Sequence, residues 1–230
     1  MSDFSLKSYV TDHKTIHLVG IGGVSMSALA ELLLHLGAKV TGSDRTETDV
    51  TDKLAKLGAS ITYAHLPENV DGADLVIRTA AVHDDNPEIA HARELGIPVM
   101  ERAQAWGKIM LEYKHAVCVS GTHGKTTTTS MLTMVGIECG SDPTVMVGSN
   151  LDAIGGTLRI GAHDYFIAES CEYTTPSSAS IRRLPLCSMS MQTIWISSRT
   201  LMISFIRSTA SASWFRKTAP LSSTTTPPTP

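Results

Sequence analysis

The segment Val117–Thr129, VCVSGTHGKTTTT, restricts the choice of fold more than any other part of the chain. An apolar run (Ala116-Val117-Cys118-Val119) passes through a turn of small residues to Gly124-Lys125-Thr126, then into helix-compatible sequence. A strand, a glycine turn and a helix start in that order make a phosphate cradle. Backbone N–H groups at the helix N-terminus face the anion, Lys125 adds a point charge, and a hydroxyl can reach Mg²⁺. The common form of this loop has a glycine five positions before the second one, but position 119 is Val and the first glycine is Gly121. The loop is therefore shorter than the common form.

The residues ahead of this loop alternate in character. Thr15–Val19 reads as a buried strand, Val24–Leu36 as a helix closed by Gly37, and Ala38–Thr41 as a second strand. Helical stretches at Val50–Leu57 and Pro87–Leu95 alternate with apolar runs at Leu75–Ile77 and Ile97–Met100. This alternation predicts an α/β chain with a parallel, doubly wound sheet. A second unit starts near Arg102–Tyr113 and holds the phosphate loop, Thr144–Val147 and a strand at Tyr165–Ala168.

A second glycine turn, Gly20-Ile21-Gly22-Gly23-Val24-Ser25, follows the first strand and opens the first helix, where a backbone can approach a pyrophosphate. Ser25 stands at the third glycine site, which serves close helix–strand packing. Gly42-Ser43-Asp44 ends the second strand, where an acid can accept ribose hydroxyls. On these residues alone, a dinucleotide such as NAD and another nucleotide diphosphate both remain open. With the phosphate loop, the pattern points to two nucleotide ligands.

Glu169 and Glu172, in FIAESCEY, follow the strand at Tyr165–Ala168. A carboxylate at a strand's C-terminal end beside a phosphate loop suits a Mg²⁺ ligand, and the bland reading is a solvated loop acid. His123 contacts phosphate through its backbone or, as the lesser alternative, does acid–base work. The other histidines, such as His35 and His91, read as surface residues.

The length, 230 residues, exceeds the usual single-domain size of about 100–150. The slight net negative charge, −3, argues against a nucleic-acid partner. Cys118, Cys139, Cys171 and Cys187 have no metal-type spacing and no disulfide density, which predicts a reducing cytoplasm. Neither a signal peptide nor a membrane-inserting run is expected. The averages conceal a break near residue 175. All 17 Gly, all 22 acids and all 9 His precede it, while residues 175–230 hold 13 Ser, 9 Thr, 6 Pro, five Arg, one Lys and no acid. Ser/Thr/Pro-rich tails are ordinarily disordered, yet this one carries Trp195, Trp214, Phe205 and Phe215.

The stretches GIGGVSMSALAELL, GSD, TAAVHDDNPEI, GIPVMERAQ, SGTHGKTTTTSML, VGSNL with IGGT, and DYFIAESCEY resemble the cytoplasmic Mur ligases. The resemblance runs from about residue 15 to 174. It implies a Rossmann-like UDP-binding domain over residues 1–105 and the N-terminal part of a P-loop ATPase domain over 106–174, with the family's third domain absent. It implies UDP, rather than NAD, at the first turn. The implied reaction joins L-alanine to UDP-N-acetylmuramate through an acyl phosphate, with ATP and Mg²⁺, in peptidoglycan precursor synthesis. Carried over by position, Gly121, Thr122, His123, Gly124, Lys125, Thr126 and Thr127 wrap the ATP phosphates. Lys125 neutralises the transferring group, and Thr126 and Glu169 ligate Mg²⁺. Gly22, Gly23, Ser25 and Asp44 fall in the UDP loops, with Thr79 a further candidate. Rival readings are a nicotinamide-dependent oxidoreductase, which leaves Gly121–Thr129 unexplained, and a nucleotide-binding remnant without chemistry.

After Thr174 the family continues with a Ser-Phe-Leu segment, an apolar strand and Asn-x-x-x-Asp-His-x-Asp, whose His is a metal ligand. This chain has none of these. Joining the third base of each codon to the first two of the next forces Ala at Met191-Gln192 and Asp at both Trp195-Ile196 and Met202-Ile203. With permitted codons, Cys187 through Ile203 then reads Leu-Asn-Val-Asp-Ala-Asp-His-Leu-Asp-Phe-Phe-Lys-Asn-Val-Asp-Asp, the missing segment in register. Residues 175–230 are accordingly expected to be out-of-frame translation, with no native fold, an exposed sheet edge beside them and no ligase turnover. The coding DNA decides the point: no alternative frame across codons 170–230 encoding that segment means no slip.

Overall fold

The computed structural model describes residues 9–10, 12–120, 123–162 and 164–169, and the backbone of two strands at 192–197 and 203–205. The expectation that residues 175–230 lack a native fold lies otherwise outside the described residues.

Two sheets account for the strands. The first is all-parallel, in the order β3 (Ser60–Thr62), β2 (Lys39–Ser43), β1 (Thr15–Val19), β4 (Leu75–Arg78), β5 (Val99–Glu101). Its connections carry α1 (Val24–His35), α2 (Asp49–Lys56), a 3-10 turn (Pro67–Val70) and α3 (Pro87–Glu94). Then α4 (Arg102–Met110) leads into the second sheet. There β6 (His115–Ser120), β9 (Tyr165–Glu169) and β7 (Thr144–Leu151) run parallel, and β8 (Gly156–Arg159) closes one edge antiparallel. Between β6 and β7 lies α5 (Lys125–Glu138).

Local chemistry explains the helix starts. Thr48 and Thr51 form a reciprocal capping box at α2, each hydroxyl accepting the other's backbone N–H. At α3 the Asn86 side chain accepts from Glu88 N and Ile89 N, and Pro87 takes the first helical position, where no N–H is needed. In contrast, α1 and α5 begin at Gly23 and Gly124 with no side-chain cap and no acid in the first turn.

The strands read in period two, as expected of a parallel sheet covered on both faces. In β1, Ile16 and Leu18 face α1 within the main core, while Val19 joins Val76, Ile89 and Ala92 under α3. In the second sheet Met146, Phe166 and Ala168 enter the main core, and Val145, Val147 and Ile167 form a separate cluster with Leu132 of α5. The main core is thus shared by both sheets. Helix α1 packs on its own sheet and against β7 and β8, which explains why Met26, Ala28, Leu29, Ala30, Leu32 and Leu33 are all buried. Aromatic rings bridge the two units: Phe166 lies 5.9 Å from Trp106 and 4.9 Å, edge-on, from Tyr113.

Two expectations are corrected. Gly42 and Ser43 lie inside β2 rather than after it, in register with Leu18 and Val19 of β1, and a Cβ at Gly42 would stand 2.9 Å from the Leu18 carbonyl and 2.6 Å from Ile21 Cδ1. Glycine here permits close approach of the turn rather than ending the strand. The edge of β6 is not open: β10 (Gln192–Ser197) pairs antiparallel along it, with β11 (Ile203–Phe205) beyond. The run Thr-Ile-Trp-Ile has the β-branched and aromatic make-up that suits a strand.

Candidate functional site: two glycine turns at strand ends

Both glycine turns leave the carboxyl ends of parallel strands, where open α/β sheets bind their ligands. At the first, the carbonyl of Ser43 accepts N–H groups from Gly20 (2.8 Å) and Ile21 (3.0 Å). Asp44 Oδ2 accepts Gly22 N–H at 2.7 Å, and Oδ1 accepts Arg45 N–H. A Cβ on Gly22 would meet Asp44 Oδ2 at 2.9 Å, and one on Gly20 would meet the Thr79 methyl at 3.1 Å. Gly22, Asp44 and Thr79 are therefore brought together around one turn. Asp44 braces the loop as well as facing the site, and each of its oxygens keeps lone-pair capacity. Gly23, the N-cap of α1, is exposed, and the uncapped helix start turns first-turn amides toward an incoming anion. Ser25 Oγ accepts the indole N–H of Trp106 at 3.1 Å, which ties the first turn of α1 to α4.

At the second turn, Gly121 and Thr122 lie outside the described residues. Gly124 takes a left-handed conformation (φ +75°) that suits glycine and swings the chain into α5. Lys125 is the first helical residue and is half-buried, followed by half-buried Thr126 and exposed Thr127; His123 is exposed. Strand register brings the acid beside the loop. Val119 on β6 pairs with Glu169, the last residue of β9, so the carboxylate leaves the strand adjacent to the one that feeds the loop.

The Glu169 side chain lies over β7 at Gly148, where a Cβ would meet its Oε2 at 2.8 Å. Its Oε1 is buried and has no hydrogen-bond partner. A buried, unpaired carboxylate oxygen is costly, and a bound cation would satisfy it. Among the described residues no cluster of three or more His, Cys, Asp or Glu forms a metal cage. That arrangement fits Mg²⁺, which takes one or two carboxylates and completes its shell with phosphate oxygens and water.

A third feature was missed from the sequence. His17 and His65, expected at the surface, instead surround the fully buried carboxylate of Glu88. Glu88 Oε1 faces His17 Nε2 (3.3 Å) and accepts from Asn69 Nδ2 (2.7 Å). Its Oε2 faces His65 Nδ1 (2.7 Å) and accepts from Ser43 Oγ (2.8 Å). His17 alternates with Ile16 and Leu18 along β1, so period two turns it to the α3 side. A titratable residue in the middle of a buried strand was the available signal. Burial pushes the Glu88 carboxyl up, but hydrogen bonds from His17, Asn69, Ser43 and His65 outweigh it and hold the pKa below the usual value. The expectation holds for His35, which is exposed, while His91 sits half-buried between Asp71 and Glu94.

Two α/β units, each with a glycine turn opening an uncapped helix, have the layout of nucleotide-binding folds. Residues 15–114 match the sequence model of the Mur ligase family, catalytic domain. Over that stretch the chain carries the sequence pattern of the Mur ligase family. It is 54% identical over 160 residues to the UDP-N-acetylmuramate–L-alanine ligase of Acetivibrio thermocellus, covering 70% of this chain and 34% of that protein. Among solved structures it resembles the UDP-N-acetylmuramate–alanine ligase of Thermotoga maritima, with a TM-score of 0.64 and 40% identity over 70% of this chain and 37% of that one. A murein peptide ligase from Psychrobacter arcticus gives a TM-score of 0.64 at 29% identity, with 70% and 38% covered. The chain thus spans about a third of the length of the relatives it matches. No helix among the described residues is long and apolar enough to cross a membrane.

Proposed function

We propose that this chain carries the nucleotide sites of a cytoplasmic UDP-N-acetylmuramate–L-alanine ligase, with residues 1–105 holding the UDP-sugar and 106–174 holding ATP. The observation that carries this reading is the second turn: an uncapped α5 start at Lys125 beside the unpaired buried oxygen of Glu169. The 54% identity to a UDP-N-acetylmuramate–L-alanine ligase supports UDP rather than NAD at the first turn.

In the proposed reaction the muramyl carboxylate takes the γ-phosphate of ATP, and the amine of L-alanine then displaces phosphate. Gly121–Thr127 wrap the phosphates through backbone N–H groups, and the Lys125 ammonium offsets charge on the transferring group. The Thr126 hydroxyl and Glu169 carboxylate would hold Mg²⁺, which would supply neutralisation of phosphate charge. Gly22, Gly23, Ser25, Asp44 and Thr79 form the wall for the UDP pyrophosphate and ribose.

Titration calorimetry tests the two sites separately. Lys125→Ala is expected to weaken Mg·ATP binding more than about tenfold, a loss of about 1.4 kcal/mol, while UDP-N-acetylmuramate binds as before. Unchanged ATP affinity would remove Lys125 from the site, and preference for NAD over UDP would overturn the assignment of the first turn. Alanine-dependent ADP release is not expected, because residues 175–230 lack the family's Asp-His-x-Asp segment.

A further inference from the structure

The reaction proposed above makes no use of Glu88, yet this buried carboxylate sits one residue's reach from the first glycine turn. It gathers side chains from four other pieces of the first unit: His17 on β1, Ser43 on β2, His65 after β3, and Asn69 in the 3-10 turn. Thr41 on β2 extends the set through His17 Nδ1 at 2.9 Å.

Ser43 is the link that matters, because it works in two directions. Its hydroxyl donates to Glu88 Oε2, and its carbonyl accepts the N–H groups of Gly20 and Ile21. The next residue, Asp44, takes the third amide of the turn, Gly22, and anchors its own N–H on the Thr62 carbonyl at 3.1 Å. Three successive amides of the glycine turn are therefore held by two successive residues at the end of β2. Those two residues are fixed from behind by Glu88 and by β3. A turn that presents backbone to a pyrophosphate gains affinity when its shape is set before the ligand arrives.

We propose that Glu88 is a positioning residue for the uridine-nucleotide turn, acting through Ser43 and touching no ligand itself. The proposal rests on the UDP reading of that turn. It accounts for a carboxylate that is fully buried yet given four side-chain donors, at the one place where β2 grips the loop.

The test uses the full chain with Ser43→Ala, which cuts the link and leaves Glu88 its other donors, and Glu88→Gln, which turns one acceptor oxygen into a donor. Two readouts are taken on folded protein: UDP affinity by calorimetry, and amide hydrogen exchange resolved at Gly20 and Ile21. Loss of one such hydrogen bond is expected to weaken UDP about fivefold. Exchange at Gly20 and Ile21 should quicken, while Val76 and Ile77 in β4 keep their protection. A purely structural role would lower protection evenly across the first sheet and leave UDP affinity of the folded fraction unchanged; that result overturns the proposal. If the unsubstituted chain binds no UDP, the reading of the site fails. Exchange at Gly20 and Ile21, measured without ligand, still decides whether Glu88 sets the turn.

Discussion

Replacing Phe166 with alanine should destabilise the chain by about 3–5 kcal/mol, the range for removing a fully buried aromatic ring from a core that collapses only in part. Phe166 has no exposed surface and packs against Trp106, tilted, and Tyr113, edge-on. It belongs to the main core that also contains Ile16 and Leu18 of the first sheet and Leu29, Leu32 and Leu33 of α1. The cavity left by the ring would sit where the two sheets share their packing. The loss should therefore appear in both units together, as one lower urea midpoint by circular dichroism and earlier amide exchange in both sheets. Against a total stability typically of about 5–15 kcal/mol, such a loss is large. A shift below about 1 kcal/mol would show that the ring contributes little beyond contact.

The same cluster shows why the architecture could be read in part from the sequence. β1 was found at its observed bounds because Thr15, Ile16, Leu18 and Val19, set between a turn and a glycine run, leave little choice. Strands β3 and β8 were not anticipated: Ser60–Thr62 and Gly156–Arg159 are three and four residues long and carry too little apolar pattern. Their existence depends on pairing with β2 and β7. Gly42 misled for a related reason, since the close approach of Ile21 that requires glycine is tertiary. In the candidate site, the turns were visible because their chemistry is local. The Glu88 cluster was not, because Glu88 meets His17 across 71 residues and Ser43 across 45.

Glu88→Ala should cost a comparable amount, about 3–5 kcal/mol, because removing one partner of a buried charged network strands the others. His17, Ser43, Asn69 and His65 would keep buried polar atoms aimed at an empty space, and no small movement brings four donors from four elements to new acceptors. The pH dependence distinguishes this from simple loss of volume. The folded carboxyl is held below its ordinary value, so its contribution is fully present above the unfolded pKa of about 4.3 and disappears as pH falls through the lower, folded pKa. The groups facing it are the two histidines, His17 on β1 and His65 after β3, with neutral Asn69 and Ser43 completing the set. Unfolding free energies measured by urea between about pH 5 and pH 3 should fall faster for the unsubstituted chain than for Glu88→Ala. The difference in slope has an upper limit of about 1.4 kcal/mol per pH unit, the value for one proton. Parallel curves would mean that the carboxyl has the same pKa folded and unfolded, and a curve for the unsubstituted chain that instead rises as pH falls from 5 would mean that Glu88 is neutral in the folded state. Its four donors would then have to be reassigned to a carboxylic acid, which accepts fewer of them and must donate one bond itself.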